Sequence, residues 1–290
     1  MSILSHRSFW RQNVALDVGT ANTRAAIGNY RLIEQPSETA AKRALRGGVV
    51  VDGETAVRLL KPLLSKVRAF GIVRPCVLAC APSDIKRSER QLLKESILKA
   101  GASSVAIIPE PLAAAVGAGI DVSSPYPQMI IDIGEGVSDC AIIQSSKILV
   151  TCSVRVGCAM IRMEIARTSK KNGNATVTDN EAEIILRSSG VALSGSGAPD
   201  SVEQTFPNSA VEEILNTIDS FLRDLPHTLG SEIIDSGIWL SGGGALIPGI
   251  REKLEQRTGI KVSIVSNPLS AVVEGARVIL PVVTALNQWD

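Results

Sequence analysis

One pattern occurs twice in this chain, and it restricts the fold more than any other feature. In NVALDVGTANTRAAIGN, residues 13–29, an apolar run ends near Asp17, a glycine turn follows, and a second apolar run returns. About 115 residues later, MIIDIGEGVSDCAII (residues 129–143) repeats strand, aspartate, glycine turn and strand around Asp132. Short apolar runs bounded by glycine and asparagine read as hairpins, and an isolated hairpin is not stable in water. The repetition therefore predicts two similar α/β lobes, each offering one hairpin to a shared cleft.

The segments around the echoes supply the remaining elements. Val57, Leu60, Leu64 and Val67 recur at helical spacing and predict a helix over about 52–68. CVLACAP reads as a short buried strand stopped at Pro82, and residues 88–100 as an amphipathic helix closed by Gly101. SVAIIPEPLAAAVGAG predicts a strand, a turn with two prolines and an alanine-rich helix. Beyond the second hairpin come a strand over 148–154, helices near 159–171 and 179–188, and a Gly/Ser/Pro stretch, SGSGAPDS. A long helix over about 210–225 carries Val211, Ile214, Leu215, Ile218, Phe221 and Leu222 on one face. The last unit is a strand at 238–240, SGGGALIPG, a helix, a strand at 262–265 and a closing helix from about Ser270.

Composition excludes several function classes. The 290 residues are 45% hydrophobic and 20% charged, the profile of a packed protein. A net charge of +1 gives no field for nucleic acid, and 3% aromatics gives no stacking platform, so no nucleic-acid partner is expected. Cys76, Cys80, Cys140, Cys152 and Cys158 show no metal-type spacing and read as buried thiols in a reducing cytoplasm. His6 and His227 are the only histidines, which argues against a histidine triad or zinc site. No apolar run reaches the roughly 20 residues of a membrane span, and the N-terminus lacks a signal peptide's apolar core. A cytoplasmic protein is the expectation.

Three glycine-rich turns each follow an apolar strand: Gly19–Asn22, Gly134–Ser138 and Gly242–Gly244. Such turns aim backbone N–H groups at an anion, and the absent side chain lets it approach. Asp17 and Asp132, at strand ends, are placed to hold Mg²⁺ directly or through its waters. A nucleotide gripped between two lobes accounts for all three turns. The first thirteen residues, MSILSHRSFWRQN, interleave Ile3, Leu4, Phe9 and Trp10 with His6, Arg7 and Arg11. As a helix this is a short apolar face with basic flanks, the pattern of a peripheral membrane anchor.

These stretches resemble the actin, hexokinase and heat-shock chaperone superfamily, and more narrowly the bacterial actin MreB family. ALDVGTANTR resembles that family's first phosphate loop, IIPEPLAAAVGAGI the segment with its catalytic glutamate, and MIIDIGEGVSDCAII its second phosphate loop. SVRVG resembles the strand end after it, LSGGGALIPGI the adenosine loop, and SNPLSAVVEGA the family's ending. The likeness runs from about Asn13 to Ile279. It implies an α/β, actin-like ATPase (ribonuclease H-like) duplicated fold, two lobes around a nucleotide cleft. Residues 1–12 would be a tail, 13–128 the first lobe, 129–269 the second, and 270–290 a helix returning to the first. ATP and Mg²⁺ would be the ligands. Gly19, Thr20, Ala21, Asn22, Gly134, Glu135 and Gly136 would cradle phosphate, Gly242, Gly243, Gly244 and Ala245 the adenosine, and Glu183 the ribose. Glu110 would be general base or water positioner, with Asp132 beside it in the catalytic set.

The departures from the family pattern are informative. RLIEQPSETA runs almost directly into AKRALRGGVVVDG, so the small subdomain IB, half of the family's longitudinal filament contact, is missing. In the second phosphate loop Glu135 replaces a glycine and Val137 a threonine that helps orient water. A carboxylate beside phosphates repels them unless a cation intervenes. Leu186 stands where the family has a lysine, and Gly157-Cys158-Ala159 where it has Gly-Gly-Asp. The resemblance thus implies a cell-shape protein that binds Mg-ATP with weak or lost hydrolysis, self-associates, and contacts the cytoplasmic membrane or its cell-shape proteins. A non-catalytic actin-fold scaffold is the alternative, and a chaperone-type reactivating factor a weaker one.

Overall fold

The structure, a computed structural model, describes residues 13–28, 31–39, 42–68, 70–171, 177–191 and 209–289. The N-terminal segment with Ile3, Leu4, Phe9 and Trp10 lies outside the described residues, as does SGSGAPDS. The fold is α/β, and the chain forms two compact units. One takes the residues up to Ile120 together with those from Ser270, and the other runs from Asp121 to Leu269.

In the first unit β1 (Asn13–Val18), β2 (Asn22–Ile27) and β3 (Arg31–Pro36) form an antiparallel meander. Two-residue ribbons follow, β4 (Glu38–Thr39) with β5 (Lys42–Arg43) and β6 (Leu45–Arg46) with β7 (Val49–Val50). They are the only strands described between β3 and α1 (Gly53–Lys66), where the family's small subdomain would stand. Then come β8 (Cys76–Ala81), α2 (Arg87–Ala100), β9 (Ser104–Pro109), α3 (Glu110–Gly117) and, from the chain's end, α9 (Ala271–Ala285). The sheet order is β3-β2-β1-β8-β9, with β1, β8 and β9 parallel. All six residues of β8 are buried, as a parallel strand covered on both faces requires.

The second unit repeats this order. Its elements are β10 (Gln128–Ile133), β11 (Ser138–Gln144), β12 (Lys147–Val154), α4 (Cys158–Lys171), α5 (Asp179–Ser189), α6 (Ser209–Arg223), α7 (His227–Ser236), β13 (Ile238–Ser241), α8 (Ile250–Thr258) and β14 (Val262–Ile264). They give a sheet in the order β12-β11-β10-β13-β14, again a meander continued by two parallel strands. The two echoed aspartates occupy equivalent places: Asp17 pairs Arg24 and Cys80, while Asp132 pairs Asp139 and Ser241. Each unit has its own core, Leu16, Leu60, Leu64, Val77 and Ile97 in the first, and Ile131, Ile133, Ile142, Leu215 and Leu240 in the second.

Local chemistry explains where the elements depart from sequence expectation. Asp52 caps α1 by accepting from the Thr55 N–H at 3.1 Å, so the helix opens at Gly53. No separate turn divides β9 from α3. Pro109 ends the strand and caps the helix, because its fixed φ suits both. The β3 strand and α7 helix were not legible, since RLIEQP is largely exposed and shows no apolar–polar alternation, and α7 follows α6 after a short turn at Pro226. The second unit opens eight residues ahead of the expected 128/129 boundary. Ser145 and Ser146 N–H groups bond the Ser124 and Val122 carbonyls at 2.8 and 2.7 Å, and tie that stretch to the β11–β12 turn.

Helices α3 and α9 pack backbone to backbone. A Cβ on Gly117 would lie 2.6 Å from the Gly275 nitrogen and closer still to the Ala271 carbonyl. One on Gly275 would lie 2.7 Å from the Gly117 nitrogen, with the Ala113 carbonyl nearer. The small residues Ala113, Gly117, Ala271 and Gly275 recur at four-residue spacing on the touching faces, and only glycine admits this approach.

Candidate functional site

The predicted residues sort by unit. The first carries Asp17, Gly19, Thr20, Ala21, Asn22 and Glu110, and the second Asp132, Gly134, Glu135, Gly136, Glu183 and Gly242 to Ala245. In the first, the carboxyl ends of parallel β1, β8 and β9 share one edge of the sheet, where ligands of open α/β sheets bind. Asp17 is the last residue but one of β1, and Glu110 follows β9 directly; both are 7% exposed. The Gly19–Asn22 turn is anchored by Ser37, whose hydroxyl donates to the Gly19 carbonyl at 2.6 Å and whose N–H donates to Ala21 at 2.8 Å. Gly48 N–H donates to the Thr20 hydroxyl at 3.0 Å, so the β6–β7 turn touches this loop.

Burial pushes the Asp17 carboxyl up to about 6, against the pull of the Arg24 guanidinium 3.7 Å away. A raised acid binds its proton more tightly folded than unfolded, so its ionised form opposes folding. Its contribution is fully present at low pH and is lost as pH rises from about 4 through about 6, roughly 3 kcal/mol in all. In metal-free buffer the unfolding midpoint is therefore expected to lose this contribution between pH 4 and 7, and Asp17→Asn to remove that portion of the slope. Parallel pH curves for the two proteins would contradict it.

In the second unit the glycine turns after β10 and β13 lie side by side at the same sheet edge. Gly134 N–H closes its turn on the Val137 carbonyl at 2.9 Å. The first two N–H groups of α4, from Cys158 and Ala159, bond the Gly134 and Glu135 carbonyls, both at 3.0 Å. A Cβ on Gly157 would lie 2.5 Å from the Gly134 oxygen and 2.6 Å from the Glu135 oxygen, so the turn and the helix start need glycine there. Gly242 and Gly244 are held to glycine by the end of β10, where added Cβ atoms would overlap Ile133. Of the three, Gly243 has only ordinary contacts around it.

Glu135 does not stand alone. Arg162 of α4 takes it in a bidentate pair, one arm at 3.0 Å, and also reaches Asp179 at 3.0 Å and Glu183 at 3.2 Å. Burial pulls against the guanidinium's charge, but its bonds to Glu135 and Asp179 outweigh it and raise its pKa above the usual value. Glu183 is held from its other side by Arg187 at 2.8 Å, and Arg187 donates to the Gly243 carbonyl at 2.7 Å. The chain Glu135–Arg162–Glu183–Arg187–Gly243 thus joins both glycine turns. The cation that compensates the carboxylate in this glycine turn is an arginine. Ser138 donates its buried hydroxyl to the Val156 carbonyl at 2.8 Å, and Val137 beside it has none. Burial first, then the Glu135 charge, pushes the Cys158 thiol up to about 12, which keeps it protonated and unreactive at neutral pH.

Arg162 and Arg187, which link the two glycine turns, were not among the residues singled out from the sequence. Glu135 was the one available signal, because a carboxylate in a glycine turn calls for a cation nearby, but its partner on α4 lies 27 residues along the chain and no spacing pointed to it.

Two equivalent sheets with glycine turns and aspartates at their strand ends define an actin-fold protein. The MreB/Mbl protein family matches residues 14–199 and 198–288, and the chain belongs to that family. It is 31% identical to the cell shape-determining protein MreB of Escherichia coli, over 89% of this chain and 81% of that protein. It is 29% identical to the cell shape-determining protein Mbl of Bacillus subtilis, over 92% and 87%. Among solved structures, MreB5 of Spiroplasma citri bound to ADP superposes with a TM-score of 0.85 at 25% identity, covering 96% of this chain and 98% of that one. The MamK double helical filament shares the fold alone, at 15% identity and a TM-score of 0.75.

Proposed function

We propose that this MreB/Mbl-family chain is a cytoskeletal protein that binds Mg-ATP through the loops at the strand ends of its two sheets, with weak or lost hydrolysis. The observation that carries the reading is the repeated strand, aspartate and glycine turn, in equivalent register in both units. The S. citri relative, solved with ADP and with AMPPNP, supports it. Asp17 and Asp132 are the donor type that Mg²⁺ takes alongside nucleotide phosphates and water, and when bound the ion would offset phosphate charge. Glu110 is the proposed water-positioning carboxylate. Slow turnover follows from Val137, which lacks a hydroxyl, and Ser138, whose hydroxyl is engaged by Val156.

Thermal unfolding with and without millimolar Mg-ATP tests the reading. Ligand at 100 times its dissociation constant adds about 2.7 kcal/mol, enough to raise the midpoint by several degrees. No shift at any concentration would favour a second reading, a non-catalytic actin-fold scaffold, for which the engaged Ser138 hydroxyl and the missing Val137 hydroxyl also speak.

Self-association in a cell-shape role is the proposed use of the nucleotide, with filaments in electron micrographs as its check. Ile3, Leu4, Phe9 and Trp10 are proposed to contact the cytoplasmic membrane. The full chain is expected to sediment with anionic vesicles and a Phe9→Ser, Trp10→Ser variant to stay in solution; equal sedimentation would remove that role.

A further inference from the structure

We propose that Arg162 is the positioning residue that lets a glutamate-bearing turn accept phosphate, so that Glu135 and Arg162 act on a nucleotide as one unit. The inference rests on the nucleotide-binding reading above and assigns a role to a residue outside the glycine turns. Both ends of Glu135 are tied to the same helix: its carbonyl accepts from the Ala159 N–H at 3.0 Å, and its carboxylate pairs with Arg162 one turn further on. That pairing draws the carboxylate along α4, and it places a positive charge against the one group in the turn that would repel phosphate.

Arg162 is 11% exposed and Glu135 19%, so the pair is partly desolvated yet still within reach of salt. Removing one partner of such a pair leaves the other charge uncompensated. Three carboxylates, Glu135, Asp179 and Glu183, converge on Arg162. Without it, Arg187 alone is left to face Glu183, and Glu135 stands bare in the turn. Lysine is a poor substitute, since a point charge cannot make the two parallel bonds that fix the carboxylate's direction.

The pairing also connects the two turns. Through Glu183 and Arg187 the network reaches the Gly243 carbonyl. Arg162 therefore sets the position of the turn after β10 and, through Glu183, of the arginine that braces the turn after β13.

A double-mutant cycle on the full chain tests this, with Mg-ATP affinity by calorimetry at low and high salt as readout and unliganded unfolding as the check on folding. Arg162→Met is expected to weaken Mg-ATP tenfold or more at low salt, because Glu135 then repels the phosphates. The deficit relative to wild type should shrink at high salt, where repulsion is screened. Glu135→Gly should bind at least as tightly as wild type, and the double variant should return to within about threefold of Glu135→Gly. Arg162→Lys, which keeps the charge and loses the fork, should fall between wild type and Arg162→Met. A salt-independent deficit in Arg162→Met, or a double variant as weak as the single, overturns the unit in favour of a structural role. If Arg162→Met does not fold, a tenfold loss in Glu135→Gly alone overturns it. Wild-type protein that binds no Mg-ATP defeats the nucleotide reading itself, and this inference with it.

Discussion

Replacing Gly275 by alanine is expected to lower the stability of the first unit by about 3 kcal/mol or more, a fall of roughly 6–12 °C in its unfolding midpoint. The added methyl meets backbone, not a side-chain tip. It would lie 2.7 Å from the Gly117 nitrogen and nearer the Ala113 carbonyl, and neither can rotate away. The two helices must separate, which opens the packing of α9 on β1, β2 and β8. Gly230, within α7, is the matched control. Nothing lies within 4 Å of its added Cβ, so Gly230→Ala should raise the midpoint slightly, by the roughly 0.5–1 kcal/mol that glycine costs a helix. Equal effects at the two positions would mean that the close helix contact does not exist.

The second large effect is expected at Gly157, where alanine should cost about 2–3 kcal/mol and abolish the midpoint shift produced by Mg-ATP. Its methyl would fall between the two carbonyls that receive the first N–H groups of α4. To make room, the Gly134–Val137 turn has to detach from the helix, and those N–H groups lose their partners. Because the same turn carries Glu135, its displacement also strains the bidentate bond to Arg162. Full retention of the nucleotide shift in a folded Gly157→Ala protein would show that this turn takes no part in binding.

Much of this was written in the sequence in terms that elementary rules can read. The two hairpins announced themselves because a buried strand needs an apolar run and its reversal needs glycine, and Asp17 and Asp132 mark where those runs end. The long helices were legible where they present an apolar stripe, as α6 does through Val211, Ile214, Leu215 and Ile218. The β3 strand was not, because it lies at the sheet edge with most of its side chains exposed and needs no apolar pattern. The glycines at 117, 157 and 275 were equally silent, since their necessity comes from a backbone that folds back upon them from far along the chain. The arginines of the site were hidden for a related reason. Glu135, Arg162, Asp179, Glu183 and Arg187 come from a turn and two helices, and no spacing rule links them before the helices are placed. Glycine at Gly242 and Gly244 was read as a cradle for a ligand, yet Ile133 already accounts for both.

Because α9 belongs with the residues up to Ile120, the first unit is assembled from two stretches that flank the second in sequence. This sets an order of events during synthesis. Residues 121–269 are contiguous and can close as soon as they leave the ribosome, whereas Gly117 waits for Gly275 before α3 finds its partner. Nascent chains stalled before Ser270 should therefore resist protease across the second unit while the first is still cut. Protection of both at that length would show that the early half closes without the helix that completes it.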